Sequence, residues 1–318
     1  MSNITRRVFL GRAGSLAAVT AMAAAIPRFA SASPLNLPIG IQLYVVNDDL
    51  GKDAAATIRQ LAAIGYKQVE TAGFGSAKSA AALRKFLDDN GIQCPSAHLQ
   101  FDVNNLNKAF DDAHALGCTY ATTSVPKQVL LSASMKDAGS MTPEARQAAM
   151  RSMLAPLTPE EFKTMAETLN KVGAAAKASG LRFGVHNHTM EFAPMNGKPG
   201  YDYLIANTDK DKVYFEIDCG WISVAGYKPA QFVDRYPGRV RMLHIKDFLA
   251  IEKGAATGGP NSPKGAEIGT GVVNYKQIFA SLKGKGIEHI FVEQEGPYSR
   301  MPAMQAAAVD YKYLASLS

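Results

Sequence analysis

The chain is sparing with several residue types, and each shortage excludes something. Only three cysteines occur in 318 residues (Cys94, Cys118 and Cys219), so the fold is not a disulfide scaffold. All three fall in or beside strand-like runs, as small buried hydrophobes do, with a Cys94–Cys118 bond as the alternative. Beyond the first 32 residues no stretch approaches the ~20 apolar residues that a membrane span needs. No G-x-G-x-x-G turn follows a strand, and Gly73-Phe74-Gly75-Ser76 is too short for a phosphate loop. Runs of Lys and Arg interleaved with aromatics are also missing, which argues against a nucleic-acid partner.

Residues 1–32 read as a targeting segment. Arg6-Arg7 precede Val8-Phe9-Leu10, an alanine-rich stretch runs from Leu16 to Ile26, and Ala30-Ser31-Ala32 fits a small-residue cleavage site. This resembles a twin-arginine signal, which implies the twin-arginine export machinery as a partner and a periplasmic location. The leader holds four arginines and no acid, so its removal lowers the net charge from +6 to about +2. The remaining residues 33–318 suit one large domain, and an α/β barrel of ~250 residues plus insertions fits that length.

In that domain short β-like runs alternate with amphipathic helical ones, the pattern of a parallel sheet with crossover helices. Eight strands are expected: Ile39–Val45, Gln68–Ala72, Gln93–Leu99, Tyr120–Val125, Arg182–His188, Val213–Asp218, Val240–Lys246 and His289–Glu293. Helices are expected at Asp53–Ile64, Ser79–Asn90, Leu106–Leu116, Pro159–Ser179, Gly200–Ala206, Pro229–Tyr236 and Tyr275–Lys283. Gly65, Gly91, Gly117 and Gly180 stand where helices end. Eight such units predict a (β/α)8 TIM barrel. Lys127–Thr158 and Glu252–Gly271 break the rhythm, and both should lie over the C-terminal mouth, where such barrels build active sites.

Four apolar runs lead into metal-binding residue types: Phe183 to His188, Tyr214 to Asp218, Val240 to Asp247 and Ile290 to Glu295. Strand alternation turns Phe183, Val185, Phe215, Ile217, Leu243, Ile245, Ile290 and Val292 outward. It turns His186, His188, Glu216, Asp218, His244, Lys246, Glu293 and Glu295 inward, together with Gln42, Tyr44, Glu70, Ser96 and His98. Ligands converging from several strand ends are what a metal site in a barrel requires. Three inward ligands at one barrel end would repel or strain without a cation. His114 and His289 read instead as hydrogen-bonded structural residues.

Several elements together resemble the sugar isomerase/epimerase superfamily with a xylose-isomerase-like barrel, which also contains endonuclease IV. They are Gln42-Leu43-Tyr44, Val69-Glu70, Ala97-His98, His186-Asn187-His188 with Glu191-Phe192, Glu216 to Trp221, His244-Ile245-Lys246-Asp247 and Phe291 to Gln294. The resemblance implies one divalent ion held by an acid from strand five, Asp from six, His from seven and Glu from eight. Asp218, His244 and Glu293 fit the last three positions. At the first this chain has His186, with His188 and Glu191 near it, and Trp221 stands where relatives often have a further His. The mixed His and carboxylate set favours Mn, Co, Zn or Fe over Mg.

These residues predict a metal-dependent isomerase or epimerase of a sugar or keto-sugar, working by proton abstraction α to a carbonyl through an enediolate. Glu293, Glu191 or Glu295 is the expected base, with Lys246 or His98 stabilising the oxyanion. Tyr44, Glu70, Trp221 and Glu295 are expected substrate contacts. The same enolate could expel a β-substituent, so a lyase, dehydratase or 3-keto-glycoside-cleaving enzyme is the alternative. A non-catalytic periplasmic sugar-binding barrel is a third reading, and the pattern leaves room for a homo-oligomer.

Overall fold

The computed structural model describes residues 33–131, 142–258, 261–295 and 300–317. The leader expected at 1–32 lies outside the described residues, as does the middle of the Lys127–Thr158 segment. The barrel strands are β1 (Ile39–Gln42), β2 (Gln68–Thr71), β3 (Gln93–His98), β4 (Tyr120–Thr123), β5 (Arg182–His186), β6 (Val213–Asp218), β7 (Val240–Ile245) and β8 (His289–Val292). Each pairs in parallel with the next, and β8 closes on β1 through Ile39↔Ile290, Gly40↔Phe291 and Ile41↔Val292. The expected (β/α)8 barrel is therefore the fold.

All seven expected helices form, each within one residue of its expected ends. The outermost expected residues are caps: Asp53 accepts from the Ala56 N–H and Ser79 from the Ala82 N–H. Thr158 and Glu161 form a reciprocal capping box at the start of Pro159–Ala178. Gly117 closes Asn107–Leu116 at φ 76°, a left-handed conformation that costs a side-chain-bearing residue more. Asn47–Lys52, Pro126–Leu131, Pro143–Leu154, Cys219–Val224 and Ala303–Ala315 are additional helices among the described residues. None of these described helices is long and apolar enough to cross a membrane.

Three strands stop two or more residues short of their expected ends. The chain turns into a 3-10 helix at Leu43–Val46, β4 ends at Thr123, and β5 ends at His186. Tyr44 is thereby carried out of the barrel interior, and it is 51% exposed. Cys94 and Cys118 are free, buried thiols with sulfurs 3.9 Å apart.

The interior has two levels. Tyr120, Met242 and Phe291 are fully buried against one another and form an apolar floor. Gly184 has no room for a side chain against this floor, because a Cβ there would sit 2.4 Å from Thr122 Oγ1 and 3.2 Å from the Met242 methyl. Toward the C-terminal mouth the inward side chains become polar.

At the mouth, the loop after β7 is tied down by Asp247. Its carboxylate accepts backbone N–H bonds from Phe248, Gly269, Gly271 and Val273 at 2.8 to 3.1 Å. Thr257 in the same loop exchanges hydrogen bonds with Thr189, just beyond β5. The described part of Glu252–Gly271 therefore meets the mouth, and Leu154 of the other interrupting segment packs beside Gly258.

Candidate metal centre and active site

Cross-strand register builds the site. His186 on β5 sits opposite Glu216 on β6, and Asp218 sits opposite His244 on β7. With Glu293, which directly follows β8, these residues bring imidazoles and carboxylates into one buried volume. His186, Asp218, His244 and Glu293 each offer one ligand atom, all within 4.8 Å of one another. Asp218 Oδ2 is buried with no hydrogen-bond partner. Its other oxygen accepts the Trp221 N–H at 2.7 Å, which starts the helix Cys219–Val224 and fixes the carboxylate. Two imidazoles and two carboxylates, with Asp218 Oδ2 unbonded apart from Lys246 Nζ at 3.5 Å, fit a divalent cation.

Beneath this set lies a second polar layer. His244 Nδ1 is 2.9 Å from Glu293, while its Nε2 is 2.6 Å from Glu70 Oε2 and 3.1 Å from Glu216 Oε2. His98 Nε2 is 2.7 Å from Glu216 and 3.1 Å from Glu70. His186 Nδ1 is 3.2 Å from Glu216. Glu70 also accepts from Gln42 Nε2 at 2.9 Å and from Ser96 Oγ at 2.5 Å. A second group of convergent donors, His98, His186, Glu216 and His244, belongs to this layer.

Lys246, one residue past β7, is buried among acids. Its Nζ lies 2.6 Å from Glu295, 3.0 Å from Glu293 and 3.5 Å from Asp218. The same ammonium sits 4.9 Å from the centre of the Trp221 ring, a cation–π contact.

The electrostatics follow from burial and from this interleaving of charge. Burial opposes a charge on His244, but Glu216, Glu293 and Glu70 outweigh it and raise its pKa well above the ordinary value. Burial likewise opposes ionised Glu293, yet Lys246 and His244 pull its pKa well down. The same contest, settled by His244, His186 and His98, keeps Glu216 ionised. Burial pushes the Asp218 carboxyl up to about 7 against the pull of Lys246. It also keeps His186 neutral, lowers His188 to about 4 and lifts Glu191 to about 7.

The structure brings together His98, His186, Asp218, His244, Lys246, Glu293, Glu295 and Glu70, and it re-places four other expected residues. His188 joins neither donor group because the strand has already ended; its Nδ1 is buried without a hydrogen-bond partner. Glu191 is fully buried and accepts the His188 N–H at 2.8 Å, so it holds the chain after β5. Trp221 is buried as well, packed on Phe248 and supporting Lys246, and offers no open face for a sugar. Tyr44 stands outside the interior, as described. Glu70 contacts His244 and His98 in the lower layer, which separates it from the mouth. Parity turns Glu216 inward without assigning it a role, and Asp247 carries no periodic signal at all.

Comparison with known proteins supplies an independent view. Residues 58–317 match the family described as xylose isomerase-like TIM barrel. An inosose dehydratase from Clostridium perfringens is 28% identical over 171 residues, covering 50% of this chain and 55% of that protein. The chain thus spans about half the length of the curated relatives it matches. A sugar phosphate isomerase/epimerase structure from Parabacteroides distasonis superposes with a TM-score of 0.65 at 22% identity, over 88% of this chain and 96% of that one. The 3-keto-D-glucoside 4-epimerase of E. coli superposes at 0.59 and 14% identity, over 88% and 99%. At such identities these structures bear on the fold.

Proposed function

The chain belongs to the xylose isomerase-like TIM-barrel family, and from that premise we propose that it is a metal-dependent enzyme that removes a proton α to a carbonyl in a sugar or keto-sugar. The observation that carries this reading is the convergence of His186, Asp218, His244 and Glu293 beside the buried Lys246. A divalent cation held by the four, with Mn, Co, Zn or Fe favoured, would supply Lewis acidity to the substrate carbonyl and its neighbouring hydroxyl.

The chain's own groups then divide the work. Glu293 is held ionised by Lys246 and His244, the form a base needs at neutral pH. Lys246 carries its charge inside the barrel and stabilises the developing enediolate oxygen. Glu295, partly open to solvent, keeps Lys246 oriented and is placed to pass protons at the mouth. Return of the proton to another carbon or face gives isomerisation or epimerisation.

Dehydration is the second reading. The inosose dehydratase relatives favour it, and His188 offers an unpartnered ring nitrogen beside Trp221 to assist a departing hydroxyl. Both readings share the first proton transfer and differ in what the enediolate does next. The reading also includes export, on the strength of Arg6-Arg7 and the alanine-rich stretch after them.

The test is to incubate Mn2+-loaded protein with ketohexoses, inososes and 3-keto-glycosides in D2O and follow the carbon-bound protons by NMR. Deuterium at the carbon beside the carbonyl supports the common step. A new stereoisomer marks epimerisation, and loss of water marks dehydration. No exchange into any of these substrates would leave a binding barrel as the better account.

A further inference from the structure

We infer that Glu70 and Glu216 are positioning residues that select which nitrogen of His244 and of His186 faces the Asp218 and Glu293 carboxylates. The inference rests on the metal-dependent reading above and assigns the layer beneath the site, which that reading leaves without a task.

A neutral imidazole has one N–H and one lone pair, and a ligand needs the lone pair aimed at the ion. His244 Nε2 lies 2.6 Å from Glu70 Oε2, and its Nδ1 lies on the Glu293 side. With an ion in place of the Nδ1 proton that faces Glu293, Nε2–H would still donate to Glu70 and the Nδ1 lone pair would be turned to the upper set. His186 is turned the other way. Its Nδ1 lies 3.2 Å from Glu216 Oε2, so donation there leaves the Nε2 lone pair free.

Each ligand imidazole therefore has a carboxylate on the ring nitrogen turned away from the upper set, Glu70 at 2.6 Å for His244 and Glu216 at 3.2 Å for His186, and Glu216 also lies 3.1 Å from His244 Nε2. Both carboxylates are themselves anchored. Gln42 and Ser96 hold Glu70, and His98 holds Glu216 at 2.7 Å. Nitrogen–oxygen separations of 2.6 to 3.2 Å are hydrogen-bond lengths, so protons already close this layer and no cation is required in it.

Such partners tune metal affinity without touching the ion, and their loss typically weakens binding by about 10- to 100-fold. The experiment titrates Zn2+ against a chromophoric chelator in the full chain and its Glu70→Ala, Glu70→Gln, Glu216→Ala and Glu216→Gln variants. Long-range 1H–15N spectra of the Zn2+-loaded proteins report the ring tautomers. The expected result is one Zn2+ per chain throughout, with each Ala variant binding about 10- to 100-fold more weakly. Glu70→Ala alters chiefly the signals of His244, and Glu216→Ala alters those of His186 and, through its 3.1 Å contact, those of His244. The Gln variants keep an oxygen acceptor and recover most of the affinity, while Glu70→Met and Glu216→Met, which fill the space without an acceptor, stand in if an Ala variant fails to fold.

Folded Ala variants with wild-type affinity and unchanged tautomers overturn the inference. Two ions in the wild type, falling to one in Glu216→Ala, also overturn it, because the lower layer would then be a metal site itself. A wild type that takes up no Zn2+ removes the metal-dependent reading along with this one. A wild type that binds Zn2+ beside unaffected variants removes this inference alone.

Discussion

Lys246 and Glu295 form an ion pair at the lip of the barrel, 2.6 Å apart, in which the lysine is buried and the glutamate reaches solvent. Glu293 and Asp218 flank the same ammonium, so its charge offsets carboxylates that are largely withdrawn from water. Replacing it leaves those charges uncompensated. Lys246→Met should cost the metal-free protein ~3–5 kcal/mol, read from urea denaturation. The loss should shrink when a divalent ion is bound, because the ion would offset Asp218 and Glu293 in the lysine's place. An equal loss with and without metal would contradict the shared-charge geometry.

Elemental analysis of protein purified without chelator should find about one divalent ion per chain. Asp218→Ala and His244→Ala should remove it and reduce turnover by at least about a hundredfold. Chelator treatment of the wild type should reproduce that loss, and added Mn2+ or Co2+ should reverse it. Retention of the ion by both variants would place the centre elsewhere.

Asp247 gathers four backbone N–H groups that span the loop from Phe248 to Val273. Asp247→Ala leaves buried donors unpaired, at ~1–3 kcal/mol each where water cannot replace them. The loop should open before the barrel does. Trypsin should cut after Lys253 or Lys264 faster in the variant than in the wild type, while the far-UV circular dichroism is retained. Equal cleavage rates would show that the Thr189–Thr257 bonds suffice.

Asp310, on the last helix, supplies a pH test remote from the ligands. It accepts the Ile268 N–H at 2.7 Å, its second oxygen has no hydrogen-bond partner, and burial pushes its pKa from 3.8 to about 8. Between those values the unfolded chain has released a proton that the folded chain keeps. Stability contributed by this group therefore falls as pH rises from about 4 to about 8, and the penalty is absent below that window. Asp310→Asn should gain stability relative to wild type as pH rises from 5 to 8, measured by urea midpoints. Parallel wild-type and variant profiles would contradict a retained proton.

Much of the barrel is legible in the sequence because its signals are local. Helix caps and terminal glycines mark boundaries, and alternation sorts Asp218 and His244 inward without knowledge of their neighbours. Strand ends are less legible. Leu43, Val45 and Val46 are as apolar in a 3-10 turn as they would be in a strand, since they are buried either way. Parity also cannot separate His186 from His188, which share a face at a spacing of two. The end of β5 separates them, and that end is set by tertiary packing. Links across the barrel leave no sequence trace. Glu70 and His244 are 174 positions apart, yet their side chains touch. Asp247 is invisible for another reason: its partners are main-chain groups, which every residue type carries.

The floor of Tyr120, Met242 and Phe291 has a kinetic consequence. It seals one end of the barrel, and Tyr120 is fastened there to Glu288 and Arg182. Among the described residues the polar end of the barrel is then the approach to the ligands, and an ion and a substrate would share it. A cation held by His186, Asp218, His244 and Glu293 would enter before the substrate and would be retained by it. Steady-state kinetics should accordingly show compulsory order, with metal first and substrate second. Saturating substrate should slow the escape of the ion into a chelator.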